Sequence, residues 1–312
     1  MNDNTLATKN NQALIGAAFV FISAIAFSAK AIFIKLAYQY PVDAITLLAL
    51  RMLLATPFFV VMAVMASRNS NATRLNMKDW ISIFGLGLAG MYLSSLFDFI
   101  GLSYVSAGTE RTILFLYPTF VVVISACIAK RPVSKREILA LALSYAGIVL
   151  IAMHDISFSS TSSTVLGAGF ILLSAFTYAC YLVGSGSVLH KIGTQRFTAY
   201  TMVVACIACV SHFALSHPMS SLELPMGVYQ LGLGMAIVST ILPVILLNAG
   251  IRRVGSNKAS LIASIGPVST ILLAALFLGE PVTFNQMIGT ALVLAGVLSI
   301  SIPAKAQQES AY

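Results

Sequence analysis

The chain is written twice. Shifting residues 101–151 by 149 positions superimposes Gly101 on Gly250, Val105 on Val254, Pro118 on Pro267 and Pro132-Val133 on Pro281-Val282. The same shift places Ala142, Leu143, Ala146, Gly147 and Ile151 on Ala291, Leu292, Ala295, Gly296 and Ile300. Upstream, a shift of 151 brings Gly16-Ala17, Phe19 and Ser23-Ala24 onto Gly167-Ala168, Phe170 and Ser174-Ala175. Two copies of one unit fold as two like bodies packed together, which removes most other architectures from consideration.

Each copy is apolar almost throughout. Hydrophobic residues make up 58% of the 312 positions and charged residues 9%, with a mean hydropathy of +0.92, a ratio no soluble core needs. Ten apolar spans stand out, at 13–34, 43–66, 79–100, 104–128, 136–153, 165–186, 196–216, 226–250, 256–278 and 283–302. Each approaches the ~20 helical residues that cross ~30 Å of hydrocarbon. The runs are continuous, without two-residue alternation, which predicts helices and excludes barrel strands. The polar start, Met1 to Gln12, lacks a basic region and a cleavage site, so the first span is expected to stay as an anchor.

The formal net charge of +8 does not mark a nucleic-acid binder, because the positions of the charges are topological. With a cytoplasmic N-terminus, the inner segments receive Lys9; Arg68, Arg74 and Lys78; Lys130, Arg131, Lys135 and Arg136; Lys191 and Arg196; Arg252, Arg253 and Lys258; and Lys305. These are 14 of the 18 Lys and Arg. The positive-inside rule then sets both termini in the cytoplasm. Residues 1–153 form the first five-helix unit, 154–164 a periplasmic linker and 165–312 the second unit. Five spans is an odd number, so the second unit enters the membrane inverted. The loop between the last two spans agrees: Lys130-Arg131 in the first copy becomes Gly279-Glu280 in the second, and the positive charge leaves with the change of side.

The four cysteines, including Cys206 and Cys209 as a CxxC, lie inside apolar spans without a second ligand pair, and the four histidines lie near helix ends. No metal and no cofactor is expected. Pro118 and Pro267 fall inside the fourth and ninth spans, where each removes a backbone hydrogen bond and bends the helix.

Charges inside the spans are few: Lys30, Arg51, Asp98, Glu110 and Arg111. Each costs a few kcal/mol in hydrocarbon unless paired or hydrated. All five belong to the first repeat and, in the topology above, to the outer half of the membrane. Three roles stay open: a structural ion-pair network; a gate or carboxylate-binding group with Lys30 or Arg111 as the cation; and a proton-coupling carboxylate at Asp98 or Glu110.

The stretches Gly101 to Gly108 leading to Tyr117-Pro118, Pro132-Val133 leading to Ala146-Gly147, Ser264 to Pro267, Leu278-Gly279-Glu280-Pro281-Val282, and Leu50 to Ala55 resemble the EamA-type branch of the drug/metabolite transporter superfamily. The match covers nearly the whole chain and departs from the pattern at Lys130-Arg131. The resemblance implies an all-α polytopic membrane protein with ten transmembrane helices in two inverted five-helix repeats. It also implies a central cavity lined mainly by helices 1, 3, 4, 6, 8 and 9. On those helices the neutral candidates are Tyr92, Ser94, Ser95, Tyr117, Tyr178, Tyr181, Ser239, Asn248 and Ser264. Aromatic and hydroxyl groups suit a small organic solute better than a bare ion. The expected function is secondary transport of small metabolites such as amino acids, in the export direction. Uptake of a cofactor or nucleotide-type metabolite is the alternative, and a membrane-embedded enzyme or a scaffold lies further off. The expected partners are a small-molecule substrate, the lipid bilayer and protons as coupling ion. Nucleic acid is excluded, and the oligomeric state is left open.

Overall fold

The computed structural model describes residues 3–68, 74–130, 132, 134–158 and 161–301. Arg131, the Ser159–Ser160 part of the expected linker and the tail carrying Lys305 lie outside these. Among the described residues all longer elements are α-helices: α1 (Asp3–Ala37), α2 (Ala44–Ser67), α3 (Met77–Leu86), α4 (Ser94–Leu102), α5 (Ala107–Leu114), α6 (Tyr117–Ile128) and α7 (Lys135–Phe158), followed by α8 (Thr161–Ile192), α9 (Thr194–Ser216), α10 (Met226–Ala236), α11 (Leu242–Val254), α12 (Ser256–Ala263), α13 (Gly266–Leu278) and α14 (Phe284–Ser301). α7 and α8 reach into the 154–164 stretch from either side. In lipid, a backbone can satisfy its polar groups only within itself, so long apolar segments become helices.

Seven helical stretches are long and apolar enough to cross a membrane: Gln12–Ala37, Ala44–Ser67, Met77–Leu102, Ala107–Ile128, Ser162–Gly186, Thr194–Ser216 and Met226–Val254. The other three expected spans appear as shorter apolar helices, Glu137–Leu150, Gly266–Leu278 and Phe284–Ser299. Within 256–278 the helix stops at Ala263 and restarts at Gly266.

Irregularities recur at the repeat distance. Phe115 and Leu116 interrupt the helix before Pro118, and Ser264 and Ile265, 149 positions on, interrupt it before Pro267. A π-helical turn at Gly87–Leu93 joins α3 to α4, and another at Ile237–Ile241 joins α10 to α11. Such turns leave backbone groups to be satisfied from elsewhere and concentrate at functional sites. Just beyond each turn, side chains of matched positions bridge to the helix that follows. The Ser23 hydroxyl donates to the Pro243 carbonyl at 2.9 Å, and the Ser174 hydroxyl donates to the Ser94 carbonyl at 2.8 Å. Each bond runs from one half of the chain to the other.

Glycines set the closest crossings. A Cβ on Gly250 would lie 2.9 Å from the Gly16 carbonyl oxygen, and one on Gly101 would lie 3.1 Å from that of Gly167. Small residues permit this approach, which matters because lipid gives helices little hydrophobic reason to associate. The largest buried cluster joins α1, α2, α4, α9 and α10 around Leu47, Leu48, Met52, Phe59, Phe99 and Leu102, all essentially inaccessible. Exposed apolar side chains such as Leu215 and Leu276 face outward, as lipid-facing positions do.

Candidate functional site

α1 and α5 are carried against α4 so that three charged side chains meet. Lys30 Nζ donates to Asp98 Oδ2 at 2.5 Å and lies 3.5 Å from Glu110 Oε1. Both acids are sequestered, their side chains 3% and 0% exposed, while Lys30 keeps 15%. Neither Glu110 oxygen is otherwise hydrogen-bonded among the described residues, and Asp98 Oδ1 is likewise unpartnered. The two carboxyl groups are close enough to share a hydrogen bond when one of them carries a proton.

Two arginines flank this triad. Arg51, on α2, reaches across to the second π-helical turn, where its Nε donates to Thr240 Oγ1 at 2.9 Å. Its guanidinium lies 5.5 Å from the centre of the Phe99 ring, its charge acts on Asp98, and its Nη1 is buried without a partner. The Thr240 hydroxyl in turn donates to the Met235 carbonyl at 2.9 Å. Arg111 follows Glu110 on α5 and points toward the second half. A Cβ on Gly266 would stand 2.7 Å from Arg111 Nη2, so the guanidinium rests on bare backbone. Its Nε is buried with no acceptor, and it makes no ion pair within 4.0 Å among the described residues. With both acids ionised, the five side chains sum to one positive charge.

Beside Arg111 runs a chain of aromatic rings. Tyr117 meets Tyr178 edge-on at 5.2 Å between centroids, Tyr178 stacks on Tyr181 at 5.9 Å, and Tyr181 stacks on Phe197 at 5.6 Å. The Arg111 charge acts on Tyr117 and Tyr178. Pro118 and Pro267 each sit in the first turn after a helix break, and Ser264 lies within the second break. The Ser28 hydroxyl bridges α1 to that region by donating to the Gly266 carbonyl at 3.0 Å.

The sequence-derived candidates thus separate into two groups. Lys30, Arg51, Asp98, Glu110, Arg111, Tyr117, Tyr178 and Tyr181 form one continuous set. Tyr92 lies apart, its hydroxyl 2.7 Å from His212 Nδ1. Ser95 and Asn248 are half-buried and joined to the cluster by no hydrogen bond among the described residues. Ser94 and Ser239 are committed to backbone carbonyls, of Ser174 and Met235 respectively. Sequence reading missed Thr240, Phe99, Ser28 and Gly266. None bears a charge, and nothing in its local pattern signals a role; the repeat-related π turn was invisible as well. Among the described residues no group of His, Cys, Asp and Glu could hold a metal ion.

Comparison with known proteins agrees with this arrangement of helices. The EamA-like transporter family matches residues 14–153 and again residues 165–302. The chain is 35% identical over 288 residues to the uncharacterized transporter YcbK of Bacillus subtilis (strain 168), covering 90% of this chain and 91% of that one. It is 25% identical over 265 residues to the uncharacterized inner membrane transporter YicL of Salmonella typhimurium, covering 84% and 86% respectively. A solved crystal structure, 18% identical, superimposes with a TM-score of 0.59 over 93% of this chain and 96% of its own, and so shares the fold. Helices of membrane-crossing length, a buried charged cluster and two family matches in tandem lead to one conclusion: the chain belongs to the EamA-like transporter family and is a membrane transporter.

Proposed function

We propose that the protein is a secondary transporter of the bacterial inner membrane that exports small carboxylate-bearing metabolites, amino acids or related compounds, by alternating access. Arg111 carries this reading. It is a cation at the junction of the two halves, with a buried donor lacking an acceptor and aromatic rings alongside. A planar guanidinium binds carboxylate through two parallel hydrogen bonds, and the tyrosines supply apolar faces with polar tips. The excess positive charge of the cluster calls for one anion, and a substrate carboxylate would neutralise it.

Ten helices in two inverted five-helix repeats provide the moving parts. The hydrogen bonds Ser23–Pro243 and Ser174–Ser94 and the crossings Gly16–Gly250 and Gly167–Gly101 support this arrangement, because the second contact of each kind is the repeat equivalent of the first. Basic inner loops support cytoplasmic termini. Protons are the coupling ion in this reading: a proton shared by Asp98 and Glu110 would leave one negative charge facing Lys30 and release the pair from mutual repulsion.

The test is counterflow in proteoliposomes loaded with radiolabelled amino acids, nucleosides and flavins, comparing wild type with Arg111→Ala. Exchange of a carboxylate-bearing solute that falls at least tenfold in a variant of normal stability supports the proposal. Full exchange by a stable Arg111→Ala protein removes Arg111 from the site. Exchange of uncharged solutes alone discards the carboxylate reading.

A further inference from the structure

The two ends of the molecule are not packed alike. At one end α5 packs on α13, α1 on α4 and on α5, and α2 on α4. The repeat equivalents of these pairs are α12 with α6, α8 with α11 and with α12, and α9 with α11. None of them packs comparably among the described residues. One end is therefore closed and the other open. The charge pattern places the closed end outside.

At the closed end a side chain from the second half holds a helix of the first. Glu280, in the turn after α13, accepts the Ala107 N–H at 3.0 Å on Oε1 and the Gly108 N–H at 3.4 Å on Oε2. Ala107 and Gly108 are buried and open α5, so the carboxylate satisfies two of the donors that a helix start leaves free and faces its positive end. Gln286, at the start of α14, packs against the bare Cα of Gly108. One turn further along α5, Glu110 meets Lys30. The second half thus grips the outer turn of α5, and the first half's own lysine grips the next.

The other end cannot repeat this. The residue matching Glu280 is Arg131, and those matching Ala107 and Gly108 are Ser256 and Asn257, at the start of α12. A guanidinium has no acceptor for N–H groups and repels the positive end of a helix. The charges behind the latch are missing there as well, since Lys30, Asp98, Glu110 and Arg111 correspond to Tyr181, Leu247, Ala259 and Ser260.

We propose that Glu280 is a one-sided latch: by capping α5 from the opposite repeat it biases the transporter toward the state closed at the charged end, and it must let go before that end can open. The inference rests on the alternating-access reading above. Loss of such a charged cap is expected to change the ratio of the two states roughly five- to thirtyfold.

The test uses full-length protein in lipid nanodiscs, stripped of native cysteines and spin-labelled in pairs at exposed positions. Ser103 with Val282 reports the latched end, and Ile128 with Arg252 reports the other. Glu280→Ala is expected to lengthen the first distance and shorten the second, with Glu280→Gln, which keeps one acceptor, lying between. Arg131→Glu, which installs a carboxylate at the open end, is expected to shorten the second distance in an otherwise wild-type chain. Should Glu280→Ala fail to fold, Glu280→Gln carries the measurement. Distance distributions unchanged in the folded Glu280 variants overturn the latch. Wild-type counterflow separates the two ideas: solute exchange without a distance response discards the latch alone, whereas a distance response without exchange of any solute keeps the latch and discards the transport reading.

Discussion

Lys30→Met is the perturbation whose outcome the structure constrains most tightly. Methionine keeps the length and the apolar stem but removes the only cation in direct contact with Asp98 and Glu110 among the described residues, at 2.5 and 3.5 Å. Both acids would remain buried, one wholly and one nearly so. Removing one partner of a buried ion pair costs about 3–5 kcal/mol, because an uncompensated charge is left in a medium of low polarity. The nearby charge of Arg51 still acts on Asp98, so the low end of that range, about 3 kcal/mol, is expected. At roughly 2–4 °C per kcal/mol for chains of 150–250 residues, that is a fall in Tm of about 10 °C, read by thermal unfolding in detergent. Adding Glu110→Gln to Lys30→Met removes the second acid, leaves Asp98 facing Arg51 alone, and should restore more than half of the loss. A loss below about 1 kcal/mol with no rescue is the behaviour of a solvated surface pair, and would refute the argument that these charges are desolvated and mutually dependent.

Two other substitutions test the surroundings. Gly266→Ala places a methyl group 2.7 Å from Arg111 Nη2; the guanidinium is the free end of a flexible side chain, so it should shift, and counterflow should fall severalfold while thermal stability changes by less than about 1 kcal/mol. At the N-cap of α2, just before the Ala44–Ser67 span rather than inside it, burial alone would raise the pKa of the Asp43 carboxyl, but hydrogen bonds from the Thr46 side chain and from the Thr46 and Ile45 N–H groups, with His217 nearby, hold it below 3.8. A depressed folded-state pKa adds stability that is complete above the unfolded value and lost as pH falls through the folded one, so the wild type should lose stability below about pH 4 more steeply than Asp43→Asn. At pH 7, Asp43→Ala should cost up to about 1 kcal/mol as a lost helix cap that is half exposed.

The candidate site was legible to the extent that charge is rare in hydrocarbon. Lys30, Arg51, Asp98, Glu110 and Arg111 stand out in a chain with 9% charged residues, and insertion cost alone marks them for pairing or function. Which of them touch was not legible. Lys30 and Asp98 are 68 residues apart, and only the packing of α1 on α4 and α5 selects one partner over another. Tyr92 and Asn248 show the converse: a polar residue on the right helix does not reach the cluster when the helix presents another face to it, and Tyr92 ends at His212 instead. In the sequence Glu280 is only one residue of a recurring stretch, because a capping role depends on an N-terminus 173 residues away.

By itself the sequence determined that this is a helical membrane protein built from two related halves, and on which side its loops are expected to lie. Those properties depend on local composition and on periodicity, which need no knowledge of neighbours. Tertiary structure alone decided the rest: the split of the span at 256–278 into α12 and α13, the paired π turns, the triad of Lys30, Asp98 and Glu110, and the closer packing of one end among the described residues. The reason is physical. In lipid every apolar face is equally content, so helices are placed by small-residue crossings such as Gly16 on Gly250 and by a handful of polar contacts. Both kinds of contact join residues far apart in the chain, from 68 positions for Lys30 and Asp98 to more than 200 for Ser23 and Pro243, and they exist only once the helices have packed.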